Sequence, residues 1–411
     1  MRRLKWGVLP VVVLIALATA NSQSNSLIRI GALYPLTGPL AKYGNEELRG
    51  VKIAVQLVNT RGGINGRLVT LEIADAPDVA AGWRETYRLA RKKVPAIIGT
   101  YSSTIALAGS EAADRNKVVW WETGAVADLV TSRGYPEVFR LGPSGATLAA
   151  QSAAFATEVL APRFKIAPRA LKLAVVYEND PYGSSVGDGI RAEAAAKGFR
   201  LAGSYPYDPA TETFAGIMRE LARAKPDVVV IASYLHDGAR FREALLGSKL
   251  PIKAVIGKCA AFFTPEMAKL LGAKIDGVFV ADKPMDIAQA ALTADGRALE
   301  TEFRTRFQRT YGRAPEAAAY MGFSGAWALV GETLPKALTI SAADIATAAR
   351  ELDLPAGSLP NGSGVRFAPA GDALAGQNTR AFGVVWQWQG GKPVLVWPPI
   401  AARGEPVLSS R

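Results

Sequence analysis

The chain has 411 residues, 49% hydrophobic and 20% charged, an ordinary balance for a globular protein long enough for two domains. A single cysteine, Cys259, excludes an intramolecular disulfide, and with a single histidine, His236, a zinc site would need carboxylates almost throughout. The net charge of +12 comes from scattered lysines and arginines, with "RKK" at 91–93 the densest cluster, which favours a solvated basic surface over a nucleic-acid interface.

The N-terminus reads as a secretory leader. "MRRLK" is a basic start, "WGVLPVVVLIALATA" an apolar stretch, and Ala18-Thr19-Ala20 the small-residue pattern that precedes cleavage. The apolar run is short and contains Pro10, unlike a membrane anchor, and no cysteine lies near the cleavage point to carry a lipid. The expected product is an exported soluble protein in the periplasm. Loss of Arg2, Arg3 and Lys5 with the leader takes the net charge from +12 to +9. No nucleophile motif of the G-x-S-x-G type accompanies His236, so hydrolytic chemistry is not indicated.

From residue 28 the pattern alternates strand and helix. "IRIGAL" (28–33) is a strand, and a helix over 43–60 places Leu48, Val51, Val55 and Val58 on one face. Glu46 and Glu47 suit the positive end of its dipole, and Gly62-Gly63 stops it. "VTLEIAD" (69–75), a helix capped by Asp78, "AIIG" (96–99), a helix opened by the Ser102 turn, and "VVWWET" (118–123) continue the alternation. A second unit restarts at "LKLAVVYEN" (171–179), followed by a helix that opens on Asp180-Pro181 and runs to Lys197-Gly198. Strands at 200–207, 227–233, 252–257 and 277–284 follow, interleaved with helices near 214–224 and 237–247. Long helices near 296–311 and 317–335 come next. "VRFAP" and "FGVVWQWQGGKPVLVWPP" then alternate as antiparallel strands, turning at Gly390-Gly391. This predicts an α/β protein of two lobes, each a mostly parallel sheet flanked by helices, with a crevice between the carboxyl ends of the strands. "RGGINGR" has the glycines of a dinucleotide loop but follows a helix, and "GKPVLV" lacks the rest of a phosphate loop.

Several stretches together carry a resemblance: "LTGPLAKYG", "AVQLVN" and "RGGINGR" near the start, then "IIGTYSSTIALAGSEAAD", "ADLVTSRGYPEVFRLGPS" and "VVYENDPYGSSVGDGI". Over roughly residues 27–395 the chain resembles type I periplasmic solute-binding proteins, in the leucine/isoleucine/valine-binding branch. The resemblance implies two lobes, three crossing segments, and delivery of a small solute to an inner-membrane ABC transporter permease. Crossings map near Leu141–Ser144, Ala281–Pro284 and Gly364–Gly371. The first lobe is then 27–142 plus 284–360, the second 143–283 plus 361–395, and 396–411 a tail. No cofactor is implied, and a monomer is expected.

The same resemblance places a serine hydroxyl and backbone N–H groups on the ligand carboxylate, at Ser103 with Ser102 beside it. A helix N-terminus rich in hydroxyls suits an anion, although either serine also suits plain capping. The second wall maps to Thr123 and Ala125, where Ala125 stands in place of the family's threonine. Trp120 and Trp121 read as core, with one of them free to wall the pocket. Tyr43, Tyr182 and Tyr234 match tyrosines lining the cleft. The largest departure is Cys259, which occupies the position of the glutamate that pairs with an amino-acid ammonium. Glu122 is a substitute only if it faces the cleft, and Lys258 is expected to face solvent. The expected ligand is a small carboxylate-bearing solute, an amino acid or related acid; if no acid faces the cleft, the alternative is a ligand without an ammonium, an aromatic or aliphatic acid or an amide. A sensor component that reports its ligand to a membrane receptor is the alternative among binding proteins, and an exported α/β enzyme the alternative of a different class.

Overall fold

The computed structural model describes residues 27–258 and 260–408, so the leader and Cys259 lie outside the described residues. Five strands form the first sheet: β1 (Ile28–Tyr34), β2 (Val69–Asp75), β3 (Ala96–Gly99), β4 (Val119–Glu122) and β5 (Val138–Arg140). They are all parallel, in the order β2-β1-β3-β4-β5. The second sheet takes β6 (Lys172–Glu178), β7 (Arg200–Tyr207), β8 (Val228–Ala232), β9 (Ala254–Lys258) and β10 (Phe279–Asp282). After a small pair, β11 (Asp353–Leu354) and β12 (Val365–Arg366), the hairpin β13 (Val384–Gln389) and β14 (Lys392–Trp397) completes it. Its order is β14-β13-β10-β9-β8-β6-β7, with β13 antiparallel to both neighbours.

Local chemistry explains these elements. β3 ("AIIG") and β8 ("VVVIA") are buried along their whole length, as strands covered on both faces by helices must be. Asp78 accepts from Ala81 N at 2.7 Å and Asp180 from Gly183 N at 2.6 Å, each capping its helix as its sequence position predicts. Gly390 and Gly391 turn the hairpin at φ +57° and +74°. Helix Ala41–Thr60 lies against helix Ala317–Ala326 at very close range. A Cβ on Gly50 would sit 2.1 Å from the Ala319 carbonyl oxygen, and one on Gly322 2.0 Å from that of Glu47. Only glycine fits at either contact, and this approach fixes the side of the helix that carries Glu47. The predicted helix over 317–335 is α-helical only to Ala326, then π-helical over Trp327–Thr333.

Two expectations are corrected. Residues 365–378 stay with the first sheet instead of crossing at Gly364–Gly371. Phe367 packs at 5.4 Å from Trp121 and 5.0 Å from Phe139 between ring centroids, a seat that an aromatic residue in a crossing strand would forfeit. Asn378 Nδ2 donates to the Leu141 and Gly364 carbonyls at 3.0 and 2.9 Å, tying two connections together. The chain reaches the second sheet only at Gly383, whose N–H donates to Gln151 Oε1 at 2.9 Å. Nor does a tail begin at 396. Val396 and Trp397 finish β14, and Val407 exchanges hydrogen bonds with the buried Gln387 side chain at 2.6 and 2.8 Å.

Candidate ligand-binding cleft

Tyr101, Gly124, Tyr182, Tyr234 and Lys283, each just beyond the carboxyl end of β3, β4, β6, β8 or β10, line one space, as ligand sites do in open α/β folds. The lobes meet there. Asp128 N donates to Ser185 Oγ at 3.0 Å, Gly145 N to the Val126 carbonyl at 2.6 Å, and Lys42 pairs with Glu266 across the rim. Two hollows lie inside, a larger one between Glu47 and Trp386 of about 340 Å³ and a smaller one beside Ser103 of about 290 Å³, both counted with the open solvent at their mouths; the enclosed space is only about 10 and 20 Å³. Both are bordered by Tyr101, Asp282 and Lys283.

The β3 turn separates the two candidate serines. Ser102 is the helix cap, its Oγ accepting from Ile105 N at 3.4 Å, so it serves the helix and not the hollow. Ser103 is the first residue of helix Ser103–Arg115 and borders the smaller hollow. Its Oγ accepts N–H groups from Val126 at 3.2 Å and Ala127 at 3.1 Å. Both lone pairs are thereby engaged, which leaves the hydroxyl proton as the group to donate.

The second wall differs from expectation. Thr123 is 1% exposed and its hydroxyl bonds Tyr34 Oη at 3.1 Å and Glu47 Oε2 at 3.0 Å, so it does not border a hollow. Ala125 packs its methyl into the first lobe's core, and Gly124 and Val126 face the smaller hollow in its place. The carboxylate of Glu122 does not face the cleft. It accepts from the backbone N–H groups of Thr100, Gly124 and Ala125 at 2.7, 2.9 and 2.8 Å and from Trp120 Nε1 at 3.1 Å. Burial pushes this carboxyl up to about 7, opposed by the same donors. Trp120 and Trp121 are fully buried, and Trp121 Nε1 donates to the Gly325 carbonyl at 2.8 Å.

The aromatic lining is richer than the sequence suggested. Tyr43 stacks on Tyr101 at 4.6 Å with ring planes 6° apart. Tyr182 and Tyr234 border the smaller hollow beside Ser103, their rings 5.6 Å apart. Phe263, Met321 and Trp386 border the larger hollow. Tyr101 has the tyrosine signal in the very turn that holds Ser103, so sequence could have found it.

Lys258 is a second correction. It is 0% exposed where solvent exposure was expected, and its Nζ donates to the Leu148 carbonyl. Burial lowers its pKa to about 7, against the pull of Asp282. Sequence reasoning also missed Glu47, Asp282 and Lys283. Helix Ala41–Thr60 starts two residues before the expected Tyr43, so Glu46 and Glu47 sit in its second turn instead of at its dipole end. Glu46 bonds Arg313, and Glu47 points at Thr123 and the larger hollow. Burial pushes the Glu47 carboxyl well above the usual carboxylate range, and Lys283 opposes it.

The profile of the family described as "Periplasmic binding protein" matches residues 27–391. "Leu/Ile/Val-binding protein homolog 8" of Brucella suis biovar 1 (strain 1330) is 33% identical over 388 residues, covering 94% of each chain. Among solved structures, an ABC transporter substrate-binding protein from Desulfitobacterium hafniense in complex with Leu has a TM-score of 0.72 at 21% identity, covering 90% of this chain and 100% of that one. A solute-binding protein from R. palustris in complex with benzoate has a TM-score of 0.71 at 19% identity, covering 94% and 98%. These likenesses share the two-lobe fold, and with the profile running through nearly all the described residues, the chain belongs to the periplasmic binding protein family, in its Leu/Ile/Val-binding branch.

Proposed function

We propose that the protein is the substrate-binding component of an ABC-type uptake system, capturing a small carboxylate-bearing solute between its lobes and delivering it to an inner-membrane permease. The observation that carries this is Ser103: a hydroxyl held by two backbone N–H groups, at the first turn of a helix, on the wall of a hollow. Such a hydroxyl donates, and the helix dipole favours a negative acceptor. The relatives agree chemically. Leucine and benzoate, the ligands named for two fold neighbours, have in common a carboxylate and an apolar body. The expected location is the periplasm, after removal of the leader, and the bound solute should be recovered chemically unchanged.

A thermal-shift panel of amino acids, aromatic acids, short fatty acids and amides tests this. A ligand present at about 100 times its dissociation constant adds about 2.7 kcal/mol of stability, several degrees in melting temperature. Ser103→Ala removes one hydrogen bond to a charged group and should weaken every carboxylate by about 10- to 100-fold. A panel in which no carboxylate raises the melting temperature, or a Ser103→Ala protein with undiminished affinity, overturns the reading.

A further inference from the structure

A small ionic cluster stands at the rim of the crevice, on helices packed against the first sheet. Lys42 Nζ, in the first turn of helix Ala41–Thr60, lies 3.3 Å from Glu316 Oε2, at the N-cap of helix Ala317–Ala326. Glu316 has a second cation in Arg313 Nη1 at 3.7 Å. Arg313 also pairs with Glu46, whose other cation is Arg49 at 2.9 Å. Within these pairs three cations, Lys42, Arg49 and Arg313, meet two carboxylates, Glu46 and Glu316, which leaves one positive charge over. The close approach of the two helices at Gly50 and Gly322 fixes the set, so it travels with the first sheet as one body.

The missing negative charge comes from the other side of the crevice. Glu266 lies in the first turn of helix Pro265–Leu271, whose Met267 and Leu271 pack in the core of the second sheet. Its Oε2 pairs with Lys42 Nζ. Lys42 therefore has two carboxylates, one on each side. All three groups are about a third exposed: Lys42 31%, Glu316 31% and Glu266 39%. Burial lowers the Lys42 amine below its ordinary value, and Glu316 is the acid that opposes this most. If the lobes part, Lys42 keeps Glu316, Glu316 keeps Arg313, and Glu266 returns to water. No charge is left buried without a partner, so parting loses only the attraction of one partly screened pair. The bond from Asp128 N to Ser185 Oγ also joins the lobes, but it is not an ion pair and salt does not screen it.

We propose that Lys42 and Glu266 form an ionic clasp that holds the crevice closed in part of the population before any solute enters, with Glu316 the resting partner of Lys42 in the open form. The clasp raises the closed share without touching the solute. It thereby tightens capture of any solute by up to the same factor, and it loosens as salt screens the pair. The inference does not depend on Ser103 or on what the solute is.

Distances between nitroxide labels, measured by pulsed electron paramagnetic resonance on the ligand-free mature chain, read the ratio of closed to open forms. Gln56→Cys and Ala222→Cys place the labels at exposed positions, one on a helix of each sheet, and Cys259→Ser confines labelling to them. In about 20 mM salt a short distance should accompany the longer one. Lys42→Met and Glu266→Gln should each lower the closed-to-open ratio about two- to fivefold, and the double variant should fall no further than the single ones. Raising the salt to about 0.5 M should lower the wild-type ratio to a similar degree and leave that of Glu266→Gln unchanged. The clasp is overturned by a wild-type protein with only the long distance at low salt, or by one distribution common to wild type and variants. A double variant that adds the two losses, or a Glu266→Gln protein that responds to salt as wild type does, overturns it as well.

Discussion

Replacing Glu122 with alanine should lower the unfolding free energy by about 4 kcal/mol and abolish measurable ligand capture. The residue touches no hollow, yet it organises both walls. Its Oε1 gathers the N–H groups of Thr100, Gly124 and Ala125, which belong to the turns after β3 and β4. Its Oε2 takes the Trp120 indole. Alanine leaves three backbone donors and one indole donor buried and unpaired, each costing about 1–3 kcal/mol. Restored burial of apolar surface offsets only part of that. Glutamine keeps the acceptor for the three backbone groups but turns an NH₂ towards the indole N–H, so it should cost about 2 kcal/mol. The pH dependence has a definite sign. The folded-state value of about 7 stands above the ordinary 4.5, so the folded protein holds a proton that the unfolded chain has released. The group's contribution is therefore complete below pH 4.5 and is lost as pH rises through about 7, where the ionised carboxylate bears its burial cost. A proton on Oε2 has an outlet in Thr100 Oγ1 at 3.4 Å. Urea denaturation should accordingly find the cost of Glu122→Ala larger at pH 5 than at pH 8. A cost below about 1 kcal/mol at both would show that the turns hold themselves.

Most of the architecture is legible in the chain because it is written in local chemistry. Alternating apolar runs, caps such as Asp78 and Asp180, and the Gly390-Gly391 turn act within a few residues of themselves. The crossings are harder, since nothing local distinguishes Phe367 as a core residue of the first lobe from an inward-facing residue of an edge strand. Its partners, Trp121 and Phe139, are more than 200 residues away. The site divides in the same way. Ser103 could be found because a helix start advertises itself, whereas Glu47 looked like an ordinary acid on a helix face. Which side of that helix meets the cleft is decided by the Gly50 and Gly322 contacts with another helix, distant in sequence.

Lys258→Met should raise stability by about 2–4 kcal/mol at pH 6 and by nearly nothing at pH 10. Lys258 is fully buried, its ammonium satisfied by the Leu148 carbonyl and attracted by Asp282 without a contact pair. Its folded-state value is about 7, below the ordinary 10.5, so here the folded protein releases the proton first. Below pH 7 the folded state has to carry a desolvated charge, and wild-type stability then rises with pH between about 7 and 10.5 as that charge is given up. A tenfold change in proton affinity corresponds to about 1.4 kcal/mol, so the burial cost at low pH runs to several kcal/mol. Methionine matches the length and apolar character of the lysine stem, fills the same space, and brings no charge. It leaves the Leu148 carbonyl without its donor, which offsets about 1–2 kcal/mol of the gain and sets the lower end of the expected range. Denaturation series at pH 6, 8 and 10 should therefore converge for the two proteins as pH rises. A Lys258→Met protein less stable than wild type at pH 6 would mean that the ammonium's attraction to Asp282 outweighs its desolvation, and that this carboxylate holds the lysine in the core.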